Sequence, residues 1–309
     1  MKIFKPKFWH KKNSLISYLF LPISIFFQIL IFCHHKITRI EKVSASVICV
    51  GNIYLGGTGK TPLSIEIAKI LESLKRKTAI IKKDYKEHND EFKLIKFNKV
   101  KLFKNSSRLK AIKNALKNKI NCIVLDDGFQ DMSINKDLNI LCFNEKQLIG
   151  NGMTLPSGPL REPISSLERA DIVVINGKIN HKFEKKIKNI SRNTSIYYSR
   201  YVPTNLHKFR NKKLLAFAGI GNPENFFNLL EKNNLKIVTK IPFPDHYAYS
   251  LKELNQLISF SLKNNLKIIT TEKDFFRIKN FRLKKIEFLN TKLHIVNSIK
   301  FKKEIIKYL

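Results

Sequence analysis

A wholly apolar run, Val47-Ile48-Cys49-Val50, leads straight into Gly51-Asn52-Ile53-Tyr54-Leu55-Gly56-Gly57-Thr58-Gly59-Lys60-Thr61-Pro62. No other stretch restricts the fold of this chain so strongly. A short uncharged strand bounded by glycine is what a parallel sheet covered on both faces requires. Beyond Pro62, Leu63, Ile67, Ile70 and Leu71 recur at helical spacing, so the order is strand, glycine loop, helix. Glycines let consecutive backbone N–H groups turn inward around phosphate oxygens, a lysine reaches the terminal phosphates, and a threonine hydroxyl can hold Mg²⁺. Gly56, Gly57, Thr58 and Gly59 are therefore the candidate cradle, Lys60 the phosphate contact and Thr61 a metal ligand. The strict spacing GxxxxGK[ST] fails at one place, because Tyr54 stands where its first glycine belongs.

A second strand ending complements the loop. Cys122-Ile123-Val124-Leu125 runs into Asp126-Asp127-Gly128-Phe129-Gln130. An acid at the C-terminal edge of a parallel sheet lies beside a phosphate loop, where it can hold the metal. Asp126 and Asp127 are both candidates, and an Asp-Gly turn that merely ends a strand is the plain alternative. Similar endings follow at Lys213–Ala218, before Gly219-Ile220-Gly221, and at Leu266–Thr270, before Thr271-Glu272-Lys273-Asp274. They predict α/β architecture throughout, with a boundary near residue 200. Residues 177–193, rich in Lys and Asn, predict a solvated helix, and the charged stretch 82–104 can be a solvated loop.

The first forty residues predict an anchor. No Asp or Glu precedes Glu41, and nothing between Lys12 and Lys36 is formally charged. Ser14 to Cys33 is 20 residues, ~30 Å as a helix, and 13 of them are Leu, Ile or Phe. Ser14, Ser17, Ser24 and Gln28 fall in one narrow wedge at 100° per residue, a stripe that can face protein or lipid headgroups. The segment lacks a small-residue cleavage site, which favours a retained anchor, spanning or lying in the interface, over a cleaved signal peptide.

Charge and cysteine content add less. Lys+Arg total 58 against 24 Asp+Glu, a net charge of +34 over 309 residues. That balance suits nucleic acid or anionic lipid, and equally suits a Lys-rich genome composition, since net charge speaks to association and not to fold. With 43% hydrophobic residues, overall disorder is excluded. Cys33, Cys49, Cys122 and Cys142 all lie in apolar runs without a CxxC pair, so they are expected as reduced core residues.

Seven strings then occur in order: VGNIYLGGTGKTP at 50–62, LDDGFQ at 125–130, GNGMTLPSGPLREP at 150–163, RADIVVING at 169–177, FAGIGNPENFF at 217–227, FPDHY at 243–247 and TTEKD at 270–274. Together they resemble the tetraacyldisaccharide 4′-kinases of lipid A biosynthesis. That family likewise tolerates a non-glycine at the position of Tyr54. The resemblance implies an α/β chain with a P-loop NTPase-like parallel sheet domain, a second, smaller α/β domain and an N-terminal membrane-associated helix. On this chain that means an anchor at 1–40, a kinase domain at 41–200 and a C-terminal domain at 201–309.

The implied reaction is transfer of the γ-phosphoryl of ATP, with Mg²⁺, to the 4′-hydroxyl of an acylated glucosamine disaccharide 1-phosphate lipid. It would take place at the cytoplasmic face of the bacterial inner membrane. The resemblance gives Asp90 and His246 as the catalytic pair with Lys60, places Tyr85 and Gln130 with the nucleotide, and adds Glu162, beside Arg161, to the metal ligands Thr61, Asp126 and Asp127. The chain departs from the family where Lys82-Lys83-Asp84-Tyr85-Lys86 replaces Ser-Arg-Gly-Tyr-Gly, where the loop between Tyr85 and Asp90 is short, and where Asp131 replaces a histidine. Asp84 competes with Asp90 for the aspartate's role. The rival reading is a membrane-tethered P-loop nucleotide-binding protein without kinase activity, a regulator or a nucleic-acid binder. No helix-turn-helix, RNA-binding aromatic signature or zinc spacing supports a nucleic-acid partner.

Overall fold

In the computed structural model, the structure describes residues 6–85, 89–245 and 247–309. After a 3-10 turn at Lys7–His10 come two helices, α1 (Leu15–Leu19) and α2 (Leu21–Ile37). They are separate because Pro22, in the first turn of α2, has no N–H to continue the ladder from α1. The 17 residues of α2 extend ~25 Å, and no described helix is long and apolar enough to cross a membrane.

The serine stripe of these helices faces protein. Ser17 and Ser24 are fully buried. Asn151 Nδ2 donates to Ser17 Oγ at 3.1 Å, and the Ser157 N–H donates to Ser24 Oγ at 3.0 Å. The same Ser24 hydroxyl lies 2.8 Å from Ser157 Oγ and 3.1 Å from the Thr154 carbonyl. Trp9, donating to the Pro156 carbonyl, pins the preceding turn to the same loop. The apolar side chains are left outside: Leu15 is 86% exposed, Phe32 62% and Phe26 59%. Cys33 shares that exposure, so the expectation of four core cysteines holds only for Cys49, Cys122 and Cys142. An apolar run marks a core residue only when its helix turns that face inward, and α2 turns the other.

The remaining elements are β1 (Ser46–Gly51), α3 (Lys60–Ser73), β2 (Thr78–Lys83), α4 (Asn89–Phe97), β3 (Leu102–Asn105), α5 (Arg108–Lys117), β4 (Cys122–Asp126), β5 (Leu138–Asn144), β6 (Ile172–Asn176), α6 (His181–Ile190), β7 (Ser195–Pro203), β8 (Lys213–Ala218), α7 (Pro223–Lys232), β9 (Lys236–Pro242), α8 (Leu251–Lys263), β10 (Lys267–Thr271), α9 (Glu272–Ile278), β11 (Ile286–Leu289), β12 (Thr291–Ile295) and α10 (Ser298–Ile306). They form two compact units. One comprises Lys5–Asp84, Lys99–Arg200 and His294–Leu309; Tyr85–Asn98 and Tyr201–Leu293 belong to the other.

The larger unit is built on an eight-stranded sheet in the order β12-β7-β6-β5-β1-β4-β2-β3. From β3 to β7 every ladder is parallel. Both faces of its central strands are covered, which is why β1 and β4 are apolar without alternation. Register matters for the site: Val50 pairs with Asp126 of β4, and Gly51 with Leu141 of β5, so loop and acid leave the same sheet edge. Residues 177–193 do supply a helix, α6, but an amphipathic one. It buries Phe183 and Ile187, with Phe183 edge-on to Phe143 at 5.1 Å between ring centres, and Asn180 caps its first turn.

The smaller unit has a parallel sheet in the order β11-β10-β8-β9. Along β8 alternate residues serve opposite faces. Leu214, Ala216 and Ala218 meet Phe226, Phe227 and Leu230 of α7, whereas Leu215 and Phe217 meet Leu254 of α8 with Tyr247 and Tyr249. Within the charged stretch 82–104, residues 89–97 are not a solvated loop, because α4 sinks Asp90, Glu91, Phe92, Leu94 and Ile95. Its apolar residues at 92, 94 and 95 outweigh its net polarity once the helix forms.

Ser24→Ala, which orphans the buried Ser157 N–H, should cost about 1–3 kcal/mol. Phe26→Ser, on the exposed face, should stay within about 0.5 kcal/mol. Urea-unfolding midpoints of the two variants check both figures.

Candidate active site

The loop after β1 takes the conformation its glycines permit. Gly56, Gly57 and Gly59 have φ of 75°, 63° and 93°, in the left-handed region that side chains avoid. Tyr54 does not need such a φ. Its backbone bridges antiparallel to Leu160 and its ring is buried, so the position can dispense with glycine. Asn52 braces the turn from within, donating to the Tyr54 carbonyl and to Thr58 Oγ1. Gly59 precedes the first turn of α3, where Lys60 and Thr61 stand among unpaired backbone N–H groups, a setting that favours anions.

Asp126 and Asp127 take different places. The carboxylate of Asp126 is fully buried, with Thr61 Oγ1 donating to Oδ2 at 2.9 Å and Ser64 Oγ to Oδ1 at 3.2 Å. Lys82 Nζ lies 2.5 Å from the same Oδ2. Asp127, at φ 60°, turns the other way, 2.9 Å from Arg161 Nη1 and 3.7 Å from Lys60 Nζ. Burial opposes its ionisation, but Lys60, Arg161 and Lys82 outweigh burial and hold the carboxyl far below the usual range. Arg161 also reaches Gln130 Oε1, and Gln130 Nε2 donates to the Asn52 carbonyl.

Glu162 pairs through Oε2 with Arg169, whose guanidinium lies 4.3 Å over the Phe129 ring. Its Oε1 is buried without a hydrogen-bond partner among the described residues. Asp131 fastens Arg108 at 3.0 Å, and the other amino group of Arg108 donates to the Asp127 carbonyl. Burial raises the Asp131 carboxyl, yet Ser133 and Arg108 prevail and lower it. The replacement of a histidine by Asp131 thus supports the turn at Asp127.

These oxygens suit a hard divalent cation. Among the described residues no group of three His, Cys, Asp or Glu stands ready to hold a metal. Thr61 and Asp126 form a hydroxyl–carboxylate pair, and Glu162 supplies an unpaired buried oxygen, so a metal here needs further oxygens from a bound phosphate. Beside Gln130, Arg161 and Glu162 opens a cavity of about 370 Å³ whose other wall is Phe27, Leu30 and Ile31 of α2 with His34 and His35. Burial lowers the His35 imidazole despite the pull of Glu162.

Asp90 belongs to the smaller unit. There Arg277 Nη2 binds its Oδ2 at 2.6 Å, and its Oδ1 is buried without a hydrogen-bond partner among the described residues. Arg277 is held in turn by Asp274 at 2.8 Å. Asp274 accepts from the Gly219 N–H at 3.0 Å and from Tyr249 at 2.9 Å, and burial with this carboxylate pushes the Tyr249 phenol up. Lys273 pairs with Glu91 at 2.7 Å; burial disfavours its charge, but Glu91, Asp90 and Asp245 more than restore it. Tyr85 is 43% exposed, and Asp84, of the larger unit, pairs with Lys104 at the surface. His246 lies outside the described residues. Sequence reasoning missed Lys82, Ser64, Arg108 and Arg277. Only Arg277 left a signal, at helical spacing from Asp274 of TTEKD.

Because its folded-state pKa is lowered, Asp127 contributes stability above pH about 4 and loses it as pH falls through that lower folded value. Asp127→Asn should therefore be less stable than the parent at pH 7. The gap should begin to narrow as pH falls below about 4 and go on narrowing toward the lower folded value, as denaturation midpoints at each pH will register.

Comparison with known proteins bears on the same strings. Residues 16–309 match the model of the family described as tetraacyldisaccharide-1-P 4′-kinase. A tetraacyldisaccharide 4′-kinase of Pelagibacter ubique is 42% identical over 311 residues, covering 99% of this chain and 98% of that one. The enzyme of the same name from Rickettsia canadensis is 34% identical, covering 96% and 95%. Among solved structures, LpxK from Aquifex aeolicus in complex with ATP shares the fold with a TM-score of 0.73 at 23% identity, covering 95% of this chain and 99% of that one.

Proposed function

This chain belongs to the tetraacyldisaccharide-1-P 4′-kinase family, and we propose that it transfers the γ-phosphoryl of ATP to the 4′-hydroxyl of a tetraacylated glucosamine disaccharide 1-phosphate in lipid A biosynthesis. One observation carries the site assignment. Lys60 and Thr61 open a helix behind a left-handed glycine loop, and the Thr61 hydroxyl lies 2.9 Å from the buried Asp126 carboxylate.

Backbone N–H groups from Gly56 to Thr61 cradle the phosphates, and Lys60 neutralises charge on the β and γ groups. Thr61 and Asp126 would hold Mg²⁺, with Glu162 and Asp127 close by, and a bound ion would supply positive charge against the phosphates. Of the two acids after β4, Asp126 is assigned to the metal because the Thr61 hydroxyl, which opens α3 beside Lys60, lies on its carboxylate, whereas Asp127 turns toward Lys60 and Arg161. Gln130 and Tyr85 are assigned to the nucleotide.

Asp90, working with His246, takes the proton of the 4′-hydroxyl as the new O–P bond forms and the bond to the β-phosphate oxygen breaks, releasing ADP. Arg277 steadies Asp90, and Oδ1, which has no hydrogen-bond partner among the described residues, is the oxygen available to the hydroxyl proton. Asp84 is the poorer candidate because its carboxylate pairs with Lys104 in solvent.

An acylated sugar also needs an apolar neighbour. The wall formed by Phe27, Leu30 and Ile31 opposite Arg161 and Glu162 suits a molecule with acyl chains at one end and hydroxyls at the other. The exposed side of α1 and α2 suits insertion in the plane of a bilayer, with the serine side kept on protein. The membrane is then the inner membrane, at its cytoplasmic face, where ATP is available.

Two measurements test this reading. Lys60→Ala and Asp90→Ala should each lower transfer of labelled phosphate from ATP to the disaccharide lipid by a factor on the order of 10³ with folding retained, whereas Asp84→Ala should stay within about threefold. Comparable rates for Asp90→Ala and the parent would return the base to Asp84 or His246. Replacing Leu19, Phe26 and Phe32 together by Ser should release the protein from sedimenting anionic vesicles and raise KM for the lipid, with ATP affinity unchanged.

A further inference from the structure

Lys82 occupies a position where a strand covered on both faces normally carries an apolar residue. On β2 it follows Thr78 and Ile80 along one face, and all three are buried, Lys82 at 3% exposure. A lysine so placed is tolerated only with its charge met. Asp126 meets it, at 2.5 Å through Oδ2. That is the oxygen which also accepts from Thr61. The carboxylate oxygen assigned to the divalent ion is thus already engaged by an ammonium.

We propose that Lys82 is a resident counter-cation of Asp126, which a divalent ion must displace from Oδ2 in order to bind. A magnesium ion sits about 2.0–2.1 Å from its oxygen ligands. On an oxygen with an ammonium 2.5 Å away, two positive charges would meet where little water screens them. Without metal, Lys82 keeps the buried carboxylate neutralised and Thr61 in place. With metal, its displacement weakens binding of the bare ion. The ion therefore loads effectively only together with the nucleotide, whose phosphates add oxygens that Lys82 does not contest.

The inference rests on the assignment of Asp126 to the metal, and the experiment separates the two. Mn²⁺ is titrated calorimetrically into the full-length parent, Lys82→Met and Lys82→Arg, alone and with a non-hydrolysable ATP analogue. Lys82→Met, close in volume and uncharged, should bind bare Mn²⁺ at least tenfold more tightly than the parent, and Lys82→Arg no more tightly. The gain from adding nucleotide should shrink in Lys82→Met. Equal or weaker Mn²⁺ affinity in Lys82→Met overturns the proposal while leaving the metal site standing. Nucleotide binding without Mn²⁺ binding in any of the three proteins removes the metal site itself, and the proposal with it.

Should Lys82→Met fail to fold, acetylation of the parent decides the matter. Saturating Mn²⁺ should raise the labelling rate of Lys82 at least threefold as its amine leaves Asp126. An unchanged rate would count against displacement.

Discussion

A carboxylate sealed from water must have its charge answered, and the tip of β4 meets that demand with three neighbours. Thr61 comes from α3, Ser64 from the next turn of the same helix and Lys82 from β2, and all converge on Asp126. The first turn of α3 cannot drift from the sheet edge without giving up two of the three groups on that carboxylate. Its first helical residues are consequently oriented before any ligand arrives, the preorganisation on which electrostatic stabilisation depends. Asp127 is released from the same duty by a left-handed backbone, which lets it serve Lys60 and Arg161. Two adjacent acids thereby acquire separate environments.

The amino-terminal helices invert the usual amphipathic arrangement. Ser17 and Ser24 are buried and the leucines and phenylalanines exposed, because the loop at 150–163 offers backbone and side-chain polar groups that these hydroxyls and the Trp9 N–H satisfy. A contiguous exposed apolar face of this size is a mark of an interaction surface. It continues toward the cavity that ends at Arg161 and Glu162, so the residues suited to acyl chains and those suited to phosphate belong to one unit.

In the smaller unit a comparable relay governs Asp90. Gly219, Tyr249 and Thr271 fix Asp274, which fixes Arg277, which fixes Asp90. Each link is charge-assisted and at least partly buried, so the orientation of one carboxylate is set by residues as far away in sequence as position 277.

Much was legible from local pattern. The run Val47–Val50, the glycines, Lys60-Thr61 and the acid ending of β4 fixed a parallel α/β sheet with a phosphate loop, because strand burial and left-handed turns leave their mark on contiguous residues. The buried faces of α4 and α6 were hidden by their lysines, since a helix buries a face while composition averages over all sides. The serine wedge of the first helices could be located on the helix but not assigned to protein or lipid, for that depends on what packs against it. Likewise the division of labour between Asp126 and Asp127, and the grips of Lys82 and Arg277, join residues tens to almost two hundred positions apart. Short-range spacing holds no record of such pairings; they exist only once the strands are in register and the charges must find one another out of water.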